Sequence, residues 1–445
     1  MKSKNIQLEI EDIEYPNIGI ARYNSKKLKI KNTLPDQKVN LFLKRRKAIL
    51  IGIAEKSPKE IMPKCIIFDK CGGCTYQNLE YTDELELKKY MVLSLFEKSN
   101  ISNFDFLGIE GTPNESYRNK MEYSFGDEYK DGPLSLGLRM SNAFYQVVNN
   151  KDCNIVDNDF NTLLFFVLDF FKDTAETFYN RKNHTGTLRY FVIRKGINTG
   201  EIFLNLFTTS TFSTNLDNFV KQILNLKINA KIVGIIHTIS DNVADTIFPQ
   251  ITNYLYGNNH YIESVFGLKF KIYPMAFFQT NTKGAEILYN HVLDFLKQCE
   301  KINIVYDLYC GTGTIAQIVS GVAKKVIGID IVEESIIAAK ENTQINNITN
   351  CHFFCGDVKD ALSNIEDVPD VIILDPPREG LHPKALKKVL DFNVKEIIYI
   401  SCKPTSFVKD LLVFIENGYK LKRLQLVDMF PRTAHVEAIG LIVNY

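Results

Sequence analysis

Hydrophobic and polar positions change their period along this chain, and each period predicts a different kind of element. Over residues 1–58, apolar and polar residues alternate in short stretches, 6–10, 19–23, 28–30, 38–43 and 48–53, with Pro16-Asn17, Asn24-Ser25 and Pro35-Asp36 among the breaks between them. Alternation bounded by turn formers predicts strands, and five short strands predict a small OB-like β-barrel. Over 79–99 the rhythm becomes helical, with Leu85, Tyr90, Leu93 and Leu95 set among acids and lysines. Residues 109–265 mix strand-like stretches (188–194, 202–208) with a helix-like one (162–174), which predicts α+β structure without settling its topology.

From residue 302 the pattern becomes regular. Apolar runs at 302–308, 326–330, 351–355, 371–374, 396–401 and 438–443 alternate with helical segments, among them 333–346, as parallel α/β units require. The reading is therefore a multidomain α/β protein: an amino-terminal OB-like barrel, a central α+β domain and a carboxy-terminal Rossmann-like domain.

Composition narrows the class. Hydrophobic residues at 45% and charged residues at 24% of 445 are those of a foldable globular chain, which argues against disorder. No run of about 18 apolar residues and no secretory leader is seen, so neither membrane partner nor secretion is expected, and the location read from the sequence is cytoplasmic. The formal net charge is only +1, but residues 1–60 hold 14 Lys or Arg against 7 acids. The basic residues cluster at Lys26, Lys27, Lys29 and Lys31, then at Lys44, Arg45, Arg46 and Lys47, a pattern suited to phosphate contacts. Arg118, Lys120 and Arg139 are candidates to extend that surface. Nine cysteines in a reducing compartment read as metal ligation, catalysis or burial before disulfides.

The first chemical signal is a strand ending in Asp307 that breaks into Gly311 and Gly313 before a helix. Glycines there let backbone approach a nucleotide and leave N–H groups free for it. Asp330 ends the next strand, placed to accept hydrogen bonds from both ribose hydroxyls, while Ala316 replaces the third glycine of a dinucleotide fingerprint. With Asp357 and Asp375, four acids stand at the carboxyl ends of successive strands, a series that resembles the class I methyltransferases.

The second signal is Ser401-Cys402-Lys403-Pro404, followed by Phe430-Pro431-Arg432-Thr433-Ala434-His435-Val436-Glu437. An isolated cysteine after a buried strand is ordinarily a small hydrophobe. Here, together with Asp375-Pro376-Pro377-Arg378 and Phe277-Phe278-Gln279-Thr280-Asn281, the chain resembles the RNA uracil-5-methyltransferase family nearly end to end, and within it the iron–sulfur-containing 23S rRNA enzymes. The resemblance implies Cys402 as covalent nucleophile and Glu437 as the base, with Gln279, Tyr309, Asp330, Asp357 and Asp375 lining a pocket for S-adenosylmethionine. Lys403 stands where asparagine is usual, and Asp330 where glutamate is.

Cys65, Cys71-Gly72-Gly73-Cys74 and the distant Cys153 make a four-thiol set that by spacing alone suits either zinc or an iron–sulfur centre. The resemblance places a 4Fe-4S cluster on Cys65, Cys71, Cys74 and Cys153 and names the barrel a TRAM domain. Cys299, Cys310, Cys351 and Cys355 are read as core residues. The domain division is 1–58 for the barrel, 59–76 with 109–270 for the iron–sulfur domain, and 77–108 with 271–445 for the methyltransferase domain. RNA, by the resemblance 23S rRNA, is the expected partner, the tRNA T-loop is the rival substrate, and a monomer is expected. The rival reaction, read from Asp375-Pro376-Pro377, is methylation of an exocyclic adenine or guanine amine, but it leaves Cys402 and Glu437 without a role.

Overall fold

The computed structural model describes residues 4–44, 47–243, 249–362 and 365–444, so Arg45 and Arg46 of the second basic cluster lie outside the described residues. Its contacts divide the chain into two compact units, one of Met1–Lys64, Cys74–Thr112 and Pro376–Tyr445, the other of Cys65–Gly73 and Pro113–Asp375.

In the first unit the five expected amino-terminal strands form, joined by a sixth, Asp12–Glu14. They make two three-stranded antiparallel sheets rather than one five-stranded set: Lys4–Glu9, Lys38–Lys44 and Lys47–Glu55, and Asp12–Glu14, Ile18–Tyr23 and Lys26–Lys31. Ile10, Ala21, Ile30, Val39 and Leu41 form their shared core. Asn24 and Ser25, both at positive φ (48° and 60°), close the hairpin between Ile18–Tyr23 and Lys26–Lys31, as a tight two-residue turn requires.

The same unit holds the helix Tyr81–Lys98 and a sheet in which Glu396–Ser401 pairs antiparallel with Glu437–Asn444, which pairs antiparallel with Tyr419–Val427. Asp105–Glu110 adds in parallel to Tyr419–Val427. These last two strands escape a reading by apolar runs. Lys420, Lys422 and Arg423 break up the first, and the second is a half-exposed strand with Gly108 at φ 115°.

The second unit contains a seven-stranded sheet in the order Ala143–Asn149, Leu134–Met140, Lys120–Asp127, Leu188–Lys195, Glu201–Thr208, Lys231–Ile239, Ile251–Gly257. Only Glu201–Thr208 and Lys231–Ile239 pair in parallel, and the helix Asp217–Leu224 lies in the chain between them. The helix Asn158–Lys172 is capped by the Asp157 carboxylate, which accepts from Asp159 N, and buries Phe160, Leu163, Leu164, Val167, Leu168 and Phe171 on one stripe.

Four parallel strands complete this unit in the order Cys351–Cys355, Lys325–Asp330, Ile304–Leu308, Val371–Leu374. The inner three are apolar because they are buried, the edge strand Cys351–Cys355 buries only Phe353, and all four fall where the apolar runs predict them. Among the described residues no helix is long and apolar enough to cross a membrane.

Candidate active site

The carboxyl ends of the four parallel strands carry the predicted acids. Asp307 is fully buried; its Oδ2 accepts from Ala316 N at 2.9 Å, while Oδ1 has no partner among the described atoms. Burial pushes its carboxyl well above the usual range, and Asp375 and Asp330 push it further, so the three acids lie within electrostatic reach of one another. Asp375 is itself pushed up to about 7 by desolvation. Asp330 accepts from Gly311 N through Oδ2 and from Val332 N through Oδ1, both at 2.9 Å, which locks the glycine turn against the second strand. Each carboxylate oxygen keeps a further lone pair for a hydroxyl donor.

In that turn Tyr309, Gly311 and Gly313 all sit at positive φ (67°, 53° and 73°). A side chain at Gly313 would strike the Phe353 ring, whereas the space around Gly311 is open. Asp357 caps a short helix through its carbonyl, which accepts from Asp360 N and Ala361 N. Gln279 is held by its main chain, its carbonyl accepting from Asn119 Nδ2 at 2.9 Å. The turn, Asp307, Asp330 and Asp375 thus gather polar groups with one unmatched carboxylate oxygen, a donor-accepting set whose chemistry suits a nucleoside with an amino-acid tail.

The first unit assembles the thiol and the carboxylate. Ser401 pairs with Ala438 across two antiparallel strands. Cys402 follows Ser401 just past the end of its strand, and Glu437, next to Ala438, opens the partner strand, where it pairs with Val427. Cys402 is half-buried, Glu437 buried. Cys402 also precedes the helix Pro404–Glu416 by two residues, where the positive end of the helix dipole favours an anion. Ser401 Oγ accepts from Lys403 N, and Ser406 Oγ donates to Arg378 O at 2.7 Å, tying the Pro376-Pro377-Arg378 segment to that helix. His435 packs its ring edge-on to Phe430.

Three contributors were not foreseen. Tyr15, in the turn between two amino-terminal strands, is buried, and its phenol is pushed up first by burial, then by Glu437 and Cys402, so its hydroxyl lies within electrostatic reach of both. Glu84 and Lys88, one turn apart on the helix Tyr81–Lys98, hold the loop that leads into Glu437. Lys88 Nζ contacts Glu84 Oε1 and Asp428 Oδ1, each at 2.7 Å, and all three side chains are fully buried. Glu84 Oε1 accepts from Arg432 N at 2.7 Å, and Arg432 O accepts from Thr75 N and Tyr76 N. Those contacts keep Arg432 at φ 67°, a conformation that side chains seldom adopt. Nothing in the local pattern marks Glu84 or Lys88; an i,i+4 pair of opposite charges ordinarily faces solvent.

The basic candidates divide. Lys26, Lys27, Lys29 and Lys31 are exposed, but Lys27 and Lys29, with Lys98, bind Glu14 at 2.6–3.0 Å and hold its carboxyl down at about 2. Arg118 and Lys120 are half-buried, with Arg118 Nε donating to Lys120 O, whereas Arg139 lines a surface cleft.

Of the four remaining cysteines, only Cys310 is buried; Cys299 and Cys351 are intermediate and Cys355 is exposed, which corrects the core reading for Cys355. It ends the edge strand Cys351–Cys355, whose outer positions face solvent. Cys65, Cys71 and Cys153 are buried, and their thiols act on one another electrostatically; burial pushes Cys71 up and Cys153 up to about 11. Gly73 N donates to Cys71 Sγ at 3.4 Å, and Cys74 Sγ accepts from Gln77 Nε2 at 3.6 Å. Among the described residues no three His, Cys, Asp or Glu side chains converge at ligating distance.

Comparison with known proteins agrees with this chemistry. Residues 264–444 match the family model described as tRNA (Uracil-5-)-methyltransferase. An RNA methyltransferase of Clostridium tetani is 45% identical over 98% of this chain and 97% of its own length, and one of Caldanaerobacter subterraneus is 40% identical over 99% of each. The crystal structure of the Pyrococcus abyssi tRNA (uracil-54, C5)-methyltransferase, solved with S-adenosyl-L-homocysteine, superposes with a TM-score of 0.79 at 22% identity, covering 98% of this chain and all of that one. The chain belongs to the class I S-adenosylmethionine-dependent RNA methyltransferases of the tRNA (uracil-5-)-methyltransferase family.

Proposed function

We propose that this protein methylates carbon 5 of a uridine in 23S rRNA through a covalent adduct with Cys402. The observation that supports the reading is that a half-buried thiol follows the strand residue paired with Ala438, next to the buried Glu437 carboxylate, and that both groups act on the Tyr15 hydroxyl. Carbon 5 of uracil is too weak a nucleophile to attack a sulfonium methyl unaided. The Cys402 thiolate adds to carbon 6, and the electron pair released onto the ring makes carbon 5 an enolate carbon. S-adenosylmethionine, when bound, supplies the electrophilic methyl for that carbon. Glu437 then takes the proton from carbon 5, and the carbon–sulfur bond breaks to return the thiolate. Asp330 would hold the ribose and the Gly311 turn the adenosine, with Gln279, Tyr309, Asp357 and Asp375 completing the pocket.

Denaturing electrophoresis with labelled RNA tests this. Glu437→Gln should accumulate a slow-migrating methylated adduct, and Cys402→Ala should form none and lose methylation while still binding cofactor. Substantial turnover by Cys402→Ala would overturn the thiolate mechanism; normal turnover of Glu437→Gln would remove only the base assignment.

A tRNA T-loop uridine is the second reading. The family model carries that substrate in its name, and the fold likeness to a tRNA enzyme runs through the amino-terminal strands as well, so those strands do not by themselves separate the two RNAs. Methylating purified rRNA and tRNA from a deletion strain decides between them.

The amino-terminal strands are proposed as a TRAM-type RNA-binding module within the division 1–58, 59–76 with 109–270, and 77–108 with 271–445. Cys65, Cys71, Cys74 and Cys153 are proposed to hold a 4Fe-4S cluster. Supporting this are the C-x5-C-G-G-C spacing, the mutual influence of three buried thiols and the N–H donated to Cys71. Anaerobically purified protein should carry about four irons per chain with broad visible absorption; stoichiometric zinc without iron would replace the cluster with a structural zinc.

A further inference from the structure

We infer that a cleft at the edge of the seven-stranded sheet is an additional RNA-contact site that takes one unpaired nucleotide of the substrate. It lies at the end of the sheet where Ala143–Asn149 is the outermost strand, and it is closed by the loop after Lys120–Asp127 and by residues 178–182. Its volume is about 440 Å³, within the range of small-ligand sites.

Aromatic rings and cations line it together. Tyr145 is 55% exposed, and Lys182 Nζ lies 4.8 Å from its ring centroid. Tyr179 is held rigidly, its hydroxyl 2.9 Å from His184 Nδ1 and its ring 4.5 Å from the Arg189 guanidinium. Lys130, Arg139 and Arg181 complete the basic lining. Of the two acids present, Asp127 accepts from Asp131 N through Oδ2 at 3.0 Å, and Asp131 lies 3.7 Å from Lys130 Nζ. Four cations against two acids leave a net positive cleft.

A flat aromatic surface flanked by guanidinium and ammonium groups is the chemistry that stacks a nucleobase and neutralises its phosphate. Bases inside a duplex do not offer their faces, so the nucleotide recognised is an unpaired one. The cleft is braced from beneath by the cysteine loop: Gly72 N donates to Arg139 O at 2.9 Å, Ser141 N to Lys70 O at 2.7 Å, and Cys71 bridges to Met140. That loop therefore fixes the backbone from which Arg139 projects.

The inference rests on RNA being the substrate, and the test separates the two. The probe is a fluorescent single-stranded uridine-rich RNA, with a duplex of the same sequence as control, and S-adenosylhomocysteine binding reports integrity of the cofactor site. Tyr145→Ala should weaken single-stranded RNA binding about five- to a hundredfold with an unchanged salt slope, and Tyr145→Phe should restore it. Replacing Arg181 and Lys182 together by Ala should lower the slope of log affinity against log salt by about one. Cofactor binding should stay at the wild-type value in all three. Wild-type affinity in Tyr145→Ala together with an unchanged slope in the double variant overturns the cleft assignment. Equal losses for duplex and single strand overturn the choice of an unpaired nucleotide. Failure of the wild-type protein to bind any RNA would instead strike the functional reading on which the inference stands.

Discussion

The proposed cofactor end of the parallel strands and the proposed Cys402–Glu437 end of the antiparallel strands are built on different principles. At the first, each residue stands at the close of a strand that the local apolar run already marks, and Asp307 is paired with Gly328, two positions before Asp330 on the neighbouring parallel strand. At the second, Cys402 follows one strand and Glu437 opens the strand that returns antiparallel beside it, and a buried ammonium 340 residues from Asp428 in the chain holds the loop that leads into Glu437. A site assembled by local periodicity is robust to distant change, whereas one assembled by register and buried charge is exposed to it.

The sharpest way to break that contrast is Lys88→Met. It leaves Glu84 and Asp428 buried without their cation, which costs about 3–5 kcal/mol. The urea midpoint of the first unit should fall accordingly and the Glu437-dependent step should fail, while S-adenosylhomocysteine binding measured at low temperature is retained. Loss of cofactor binding in parallel with the Glu437 step would show that the two ends do not differ in this way.

Titration probes the cofactor end directly. The folded state keeps the Asp375 proton up to about pH 7, whereas the unfolded chain releases it near 3.8. The folded state therefore binds more protons between these values, and this contribution to stability is present below about pH 4 and lost as pH rises through 7. Asp375→Asn should gain stability over wild type at pH 8, by up to a few kcal/mol, and gain none at pH 4. Equal effects at both pH values in denaturant titrations would remove the buried-carboxyl explanation.

Tyr15→Phe tests whether the amino-terminal strands enter the chemistry of the antiparallel end. Removing the hydroxyl near Cys402 and Glu437 should slow decay of the covalent adduct about tenfold, equivalent to about 1.4 kcal/mol, and leave cofactor affinity alone. Unaltered decay in single-turnover experiments would leave Tyr15 as packing.

The smallest effect is expected at the surface. Glu14→Gln frees Lys27, Lys29 and Lys98, so RNA binding should tighten and its salt slope steepen by about one phosphate contact, with stability changed by no more than about 1 kcal/mol. A flat response would mean that these lysines do not face RNA.

Much of this was legible in the chain because it is encoded locally. Period-two alternation located the five amino-terminal strands, apolar runs located the four parallel strands, and Asp307, Gly311, Gly313 and Asp330 announced a nucleotide turn whose backbone takes the positive φ values that such a turn needs. Order along the chain pointed to Cys402 and Glu437. Where the local pattern was weak, as in the charged strand Tyr419–Val427 or the half-exposed Asp105–Glu110, no strand was visible before the sheet existed to receive it.

Tertiary structure alone decided the rest. Nothing in residues 84–88 distinguishes a solvent-facing helical ion pair from one sealed against Asp428, since burial belongs to the packed neighbour and not to the pair. Tyr15 reads as a turn residue until folding brings it beside a thiol 387 positions later, and Arg139 reads as one more surface cation until the cysteine loop braces it at a ring-lined cleft. Residue type and spacing determined which chemistry was available. Strand register and the burial of charge, which depend on contacts between remote segments, decided where that chemistry gathers.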